Sequence, residues 1–119
     1  MEDPNGVGVL TITRMTIESD SLSFDFEGKV DGYGSVFASH NFTYVDAKRS
    51  RGRVVGEART FLEDGTLIST PHMGTFTREG SHVRSYFTDA TNQGIVNLVM
   101  WDIDVISKHV AVKYWEVGS

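Results

Sequence analysis

Apolar and polar residues alternate along most of this chain, and short turn segments interrupt the alternation at regular intervals. In segment 22–30, for example, Phe24 and Phe26 alternate with Ser23 and Asp25. A period of two residues places the two sets on opposite faces of a β-strand. No window combines a 3.6-residue apolar period with capping residues, as an amphipathic helix would. The pattern therefore predicts an all-β protein.

Gly-rich and polar turns divide the pattern into eight predicted strands. They cover residues 7–18, 22–30 and 35–46, a hairpin over 53–76 that supplies two strands, and then 82–89, 95–105 and 109–117. Consecutive antiparallel strands in this number commonly close into a barrel, which removes both sheet edges. We expect an eight-stranded antiparallel meander barrel over residues 7–117, preceded by a flexible tail at 1–6. A two-sheet β-sandwich or jelly roll is the alternative.

Composition narrows the class of protein. The 119 residues suit one domain, and the net charge of −5 disfavours a nucleic acid or an anionic membrane as partner. The chain has no cysteine, which excludes disulfides and a thiol nucleophile. Its start lacks the apolar region of a signal peptide, and no apolar run approaches the ~18 residues of a membrane helix. We expect a soluble, cytoplasmic protein.

The hairpin over 53–76 carries the first candidate chemistry, and its turn at Asp64-Gly65 leaves two registers open. A two-residue turn pairs Glu57 with His72, and such a carboxylate–imidazole pair suits general acid–base catalysis. A three-residue turn with Gly65 in the left-handed conformation pairs His72 with Gly56 instead. The dyad then does not exist.

Two histidines fall on otherwise apolar strand faces. His72 alternates with Ile68, Thr70, Gly74 and Phe76, and His40 with Val36, Ala38, Phe42 and Tyr44. If these faces line the barrel, a few polar groups converge in an apolar cavity, as in small-molecule sites. The catalytic candidates are His72, His40, Glu57 and Tyr44, and the ligand-binding candidates are Phe42, Phe76, Asn97, Trp101 and Arg59. The alternative is that both histidines are structural and the aromatic residues form a core.

Glu57 and Arg59 share one strand face, which leaves two interpretations. On the outer face they form an exposed ion pair; on the inner face they become an acid–base or substrate-anchoring pair. The four histidines are isolated in sequence, without a His-x-His motif, so we expect no metal and no cofactor.

The strand pattern also resembles the allene-oxide-cyclase-like and other calycin barrels. The likeness lies in Phe26-Glu-Gly28, in Asp31-Gly-Tyr-Gly34 and in the spacing of Gly56, Asp64-Gly65, Gly74 and Gly80. The resemblance implies a barrel that holds a hydrophobic, oxygenated small molecule. We therefore expect an isomerase, cyclase or lyase acting by proton transfer, or else a non-enzymatic barrel that binds a hydrophobic ligand. The strongly apolar segment 95–103 also allows a homodimer.

Overall fold

The computed structural model describes residues 2–118, which form eight strands in chain order. Their bounds are β1 Gly6–Ile17, β2 Ser21–Val30, β3 Gly34–Tyr44, β4 Arg51–Phe61, β5 Leu67–Glu79, β6 His82–Ala90, β7 Val96–Asp104 and β8 His109–Gly118. Each strand pairs with the next, and β8 pairs with β1, so the sheet closes. The predicted meander barrel is confirmed, and the sandwich alternative is wrong. None of these residues lies in a helix that could span a membrane.

Alternation decides which side chains enter the barrel. On β7, Asn97, Val99, Trp101 and Ile103 are all buried, as the sequence pattern predicts. The outward residues between them are only partly covered, so the homodimer expected through this strand stays a prediction. Packed side chains fill an interior of this width, and each fully buried apolar side chain stabilises the fold by roughly 1.5–3 kcal/mol.

The turn between β4 and β5 settles the register of that hairpin. The Leu62 amide donates a hydrogen bond to the Thr66 carbonyl, and Gly65 has φ +88°. The turn therefore has three residues, with glycine in the left-handed conformation that side chains disfavour. His72 consequently faces Gly56, and Glu57 faces Pro71. The predicted Glu57–His72 pair is wrong, and the alternative register is confirmed.

The two ends of the barrel differ in which turns form them. One end, here called the Tyr33 end, contains turns 31–33, 62–66 and 91–95, together with the start of β1 and the end of β8. The opposite end, here called the Arg49 end, contains turns 18–20, 45–50, 80–81 and 105–108.

Residues 2–5, predicted as part of a flexible tail, lie against β8 at the Tyr33 end. The Asn5 amide donates to the Tyr114 carbonyl at 2.9 Å, and Trp115 Nε1 donates to the Glu2 carbonyl at 2.8 Å. Gly6, also assigned to that tail, is the first residue of β1. The remaining tail residue, Met1, is outside the described range.

Candidate functional site

His40 and His72 meet inside the barrel because a glycine separates their strands. Gly56 on β4 pairs with His40 on one side and with His72 on the other. A Cβ atom on Gly56 would lie 2.5 Å from His40 Cδ2, so only glycine leaves room for the ring. The two imidazoles approach each other across this gap, with His40 Nε2 2.7 Å from His72 Nδ1.

Aromatic rings hold both imidazoles in place. His40 stacks on Trp101 with ring centroids 4.4 Å apart, and His72 stacks on Phe87 at the same separation. The histidines are 2% and 5% exposed. Burial disfavours a charged ring, so it lowers the pKa of His40 well below its ordinary value and that of His72 to about 3. Both are neutral near pH 7, and one proton lies between the two facing nitrogens.

The second nitrogen of His72 faces a carboxyl group. His72 Nε2 lies 3.7 Å from Asp89 Oδ2, and the Asp89 side chain is 11% exposed. Asn97 Nδ2 donates to the other carboxyl oxygen at 2.9 Å and to the Tyr33 hydroxyl at 3.0 Å. Burial raises the pKa of Asp89 to about 6, although the hydrogen bond from Asn97 opposes the shift.

Two proton arrangements satisfy this row of groups. In one, Asp89 is ionised, His72 carries its proton on Nε2, and His40 Nε2 donates to His72 Nδ1. In the other, Asp89 is protonated and faces a bare His72 Nε2, so His72 Nδ1 donates to His40. The second arrangement holds one proton more than the first, on Asp89, and both imidazoles have the other tautomer. His40 Nδ1 has no hydrogen-bond partner among the described residues in either arrangement. The row can therefore take up or release a proton at Asp89.

A small cavity adjoins the row at the Tyr33 end. Its volume is about 50 Å³, and His72, Asp89, Asn97 and Tyr33 contribute its polar wall. Thr60, Thr70 and Tyr114 add hydroxyl-bearing side chains, and the remaining lining is apolar, including Phe87, Trp101, Val36, Val99, Val112 and Ala58. Because one water needs roughly 10–15 Å³, the cavity admits a group of a few heavy atoms rather than a whole drug-sized ligand.

The candidate residues from sequence divide between this site and other parts of the barrel. His40, His72, Asn97 and Trp101 come together as described above. Phe42 and Phe76 are 2% exposed and pack edge-to-face on each other, so they belong to the core toward the Arg49 end.

Three predicted site residues lie away from the cavity. Tyr44 ends β3 near the Arg49 end, where it packs on Phe76, because β3 runs away from the cavity beyond His40. Glu57 and Arg59 point outward and form an exposed ion pair at 3.0 Å, since the three-residue turn fixes β4 in that register. The prediction that these three side chains lie inside the cavity is wrong.

The outer ion pair lies in a groove of about 720 Å³ across β2, β3 and β4. Its polar side chains already bond to each other: Ser39 donates to Asp25 at 2.7 Å, and Asn41 donates to Ser23 at 2.9 Å. His40, whose buried Nδ1 has no hydrogen-bond partner among the described residues, also lines this groove. The small cavity is the better candidate for acid–base chemistry, because its wall combines Asp89, whose pKa is raised to about 6, with the facing ring of His72.

Sequence reasoning missed Asp89 and Tyr33. Asp89 was assigned to the end of a strand without a role, although it alternates with Val83, Ser85 and Phe87. That alternation was the available signal, because it places Asp89 on the inner face. Tyr33 is in a turn, where periodicity gives no direction for a side chain.

No protein-family model, curated protein or solved structure matches this chain. Over residues 2–118, no three His, Asp or Glu side chains converge in a geometry that could hold a metal ion. The chemistry of the site must therefore be inferred from the groups in it.

Proposed function

We propose that this barrel is an isomerase, cyclase or lyase that transfers a proton to or from an apolar, oxygenated small molecule. The reacting end of the substrate enters the cavity at the Tyr33 end, and the rest of the molecule stays at the mouth. The observation that carries the proposal is the row Asp89–His72–His40, in which Asp89 and His72 line the cavity and His40 is buried behind them.

Asp89 is the proposed acid–base group. A pKa of about 6 is close to neutral pH, so a useful fraction of both protonation states exists there. The carboxylate form would remove a proton from carbon beside a carbonyl, and the acid form would return it. Neutral His72 faces the carboxyl group and changes its proton position with it, while the apolar walls limit access of water.

His40 is a positioning residue in this proposal. It shares a proton with His72 but does not line the cavity wall. The stacked Trp101 and the gap at Gly56 fix its ring, and His40 in turn fixes the orientation of His72. Supporting groups that lock the rotamer of a catalytic side chain are a usual requirement for efficient acid–base catalysis.

Exchange of carbon-bound protons tests the proposal without a known substrate. Cyclopentanone and 2-butanone, incubated with the protein in D₂O, should lose their α-proton NMR signals faster than in buffer alone. Asp89→Asn should remove the acceleration, because the amide keeps the shape but cannot accept the proton. Glu57→Gln is the matched control, since it neutralises a carboxylate outside the barrel. Equal exchange rates in the wild type and Asp89→Asn contradict the proposal.

The second candidate, a non-enzymatic barrel for a hydrophobic ligand, has less support from the geometry. Its ligand would have to displace aromatic side chains, because the cavity of about 50 Å³ is far below the roughly 300–1,000 Å³ of ordinary ligand pockets. Its one supporting feature is the apolar lining around the polar wall.

A further inference from the structure

The Asp89 carboxylate lacks a cationic partner among the residues that line the cavity. Neither Lys nor Arg contributes to the wall, and the facing His72 is neutral near pH 7 because it is buried. Above its pKa of about 6 the carboxyl group is charged, while its side chain is only 11% exposed. Buried charges are normally paired, since an unpaired one loses its hydration without compensation. A ligand with a positive charge could therefore act as the missing partner of this carboxylate.

A second acceptor lies beside this carboxylate. Asn97 Oδ1 is buried and accepts no hydrogen bond from the described residues, although the whole side chain is only 2% exposed. Both Asn97 hydrogens on Nδ2 are already used by Asp89 and Tyr33. A ligand group that satisfies Asn97 Oδ1 and the free oxygen of Asp89 must therefore be a donor of at least two hydrogen bonds.

The aromatic rings of the wall favour a cation as that donor. Phe87 and Trp101 line the cavity, and Tyr33 and Tyr114 pack edge-to-face at its mouth with centroids 5.4 Å apart. Ring faces carry negative potential and attract ammonium groups, most strongly where water is excluded. The remaining apolar wall also suits methyl groups on nitrogen.

The distribution of charge along the barrel points the same way. The turns at the Tyr33 end, residues 31–33, 62–66 and 91–95, contain Asp31, Glu63 and Asp64 and no Lys or Arg. The turns at the Arg49 end contain three carboxylates and three cations: Glu18, Asp20 and Asp46, with Lys48, Arg49 and Lys108. An acidic mouth raises the local concentration of cations and repels anions.

We propose that the cavity at the Tyr33 end binds the ammonium group of a small primary or monomethylated amine, with Asp89 and Asn97 accepting its hydrogen bonds. The inference rests on the proposed function for the position of the ligand. It adds a nitrogen head group to the apolar, oxygenated molecule proposed above. The ligand class is thus an amine that also carries a carbonyl or hydroxyl group.

Three four-carbon probes with different head groups test this inference: n-butylammonium, n-butanol and n-butyrate. Each is titrated into ¹⁵N-labelled protein at pH 7.5 while the Asn97 side-chain amide is followed by NMR. Butylammonium should bind roughly tenfold more tightly than butanol, and butyrate should give no saturable shift. Butanol or butyrate binding as tightly as butylammonium would overturn the inference, as would the absence of a saturable shift with butylammonium. This comparison needs no variant, so it does not depend on any substitution folding.

Two variants then assign the selectivity to the cavity. Asp89→Asn should lower the affinity for butylammonium to the affinity for butanol. Glu63→Gln removes one exposed charge from the same end and should keep most of the preference. Equal losses in both variants would mean that the acidic end attracts cations without a specific site, which also overturns the inference.

The two proposals fail separately. Binding of butylammonium without deuterium exchange into ketones would contradict the proposed catalysis and support the amine site. Exchange that depends on Asp89, together with no preference for butylammonium, would keep the catalysis and remove the amine site.

Discussion

The two halves of the barrel interior are built on the same alternation and differ in what the inward residues are. Toward the Arg49 end, Phe24, Phe42 and Phe76 pack edge-to-face, and Ser85 Oγ is a buried side-chain atom there without a hydrogen-bond partner among residues 2–118. Toward the Tyr33 end, inward positions hold Asn97 and Asp89, and the cavity lies beside them. The first half supplies cohesion, which allows the second to hold a buried carboxyl group at some cost in stability.

The largest effect is expected in the aromatic half. Phe42→Ala should lower the free energy of unfolding by about 3–5 kcal/mol, because it removes a fully buried ring and leaves a cavity in close-packed surroundings. Urea denaturation measures the change. Phe37→Ala on the outer face of the same strand is the control. Because Phe37 is 46% exposed, this substitution should lower the free energy of unfolding much less. Similar losses in the two variants would mean that the aromatic half is not the cohesive one.

A smaller loss is expected at the boundary of the two halves. Gly56→Ala places a methyl group 2.1 Å from the Ser39 carbonyl oxygen and 2.5 Å from the His40 ring, so both must move. Overpacking of this kind costs about 1–3 kcal/mol. It should also separate the two imidazoles, which ¹⁵N NMR of the ring nitrogens detects as loss of the shared proton. Unchanged ring signals would show that His40 does not depend on the gap at Gly56.

The buried titratable groups of the polar half should make the stability of the protein depend on pH. The pKa values of His40 and His72 are lowered on folding, so below pH 6.5 unfolding takes up their protons and stability falls as the pH falls. Asp89 has the opposite sign. Its pKa rises from 3.8 to about 6 on folding, so its contribution becomes more favourable as the pH falls through that window.

Asp89→Asn removes the opposing contribution and leaves those of the histidines. Between about pH 4 and 6 the unfolding free energy should therefore fall more steeply, by about 1.4 kcal/mol per pH unit relative to the wild type. Urea denaturation at several pH values measures the slope. Asp64→Asn is the control, because hydrogen bonds in its turn lower the pKa of Asp64 and move its titration below this window. Parallel curves for the wild type and Asp89→Asn would contradict the raised pKa of Asp89.

Alternation along the sequence was enough to predict the barrel, the strand order and the inward direction of His40, His72, Asn97 and Trp101. Each of these positions is within a regular strand, where the side chain direction follows from a period of two. The sequence also identified the turn at Asp64-Gly65 as the feature that determines which residue lies opposite Glu57. It could not choose between two and three turn residues, since Asp-Gly suits both.

The composition of the site was harder to predict than the fold. The contact between His40 and His72 depends on Gly56, because any side chain at this position would collide with the His40 ring. Asp89 joins them from a strand that is adjacent to β5 only in the folded barrel. Such contacts depend on register across several strands, and a one-residue change in any turn would separate them. This explains why individual inward residues were predicted correctly while their partners were not.

The smallest effect is expected outside both halves, at the ion pair between Glu57 and Arg59. Its side chains are 66% and 46% exposed, so solvent screens their attraction, and Glu57→Gln should change the unfolding free energy by less than about 1 kcal/mol. Deuterium exchange into cyclopentanone should be unchanged in this variant, whereas Asp89→Asn should lose it. A loss of exchange in Glu57→Gln would instead move the chemistry to the outer groove, where Glu57 is one of three carboxylates with Asp25 and Glu27. The two carboxylate variants together therefore decide whether the chemistry belongs inside the barrel or on its surface.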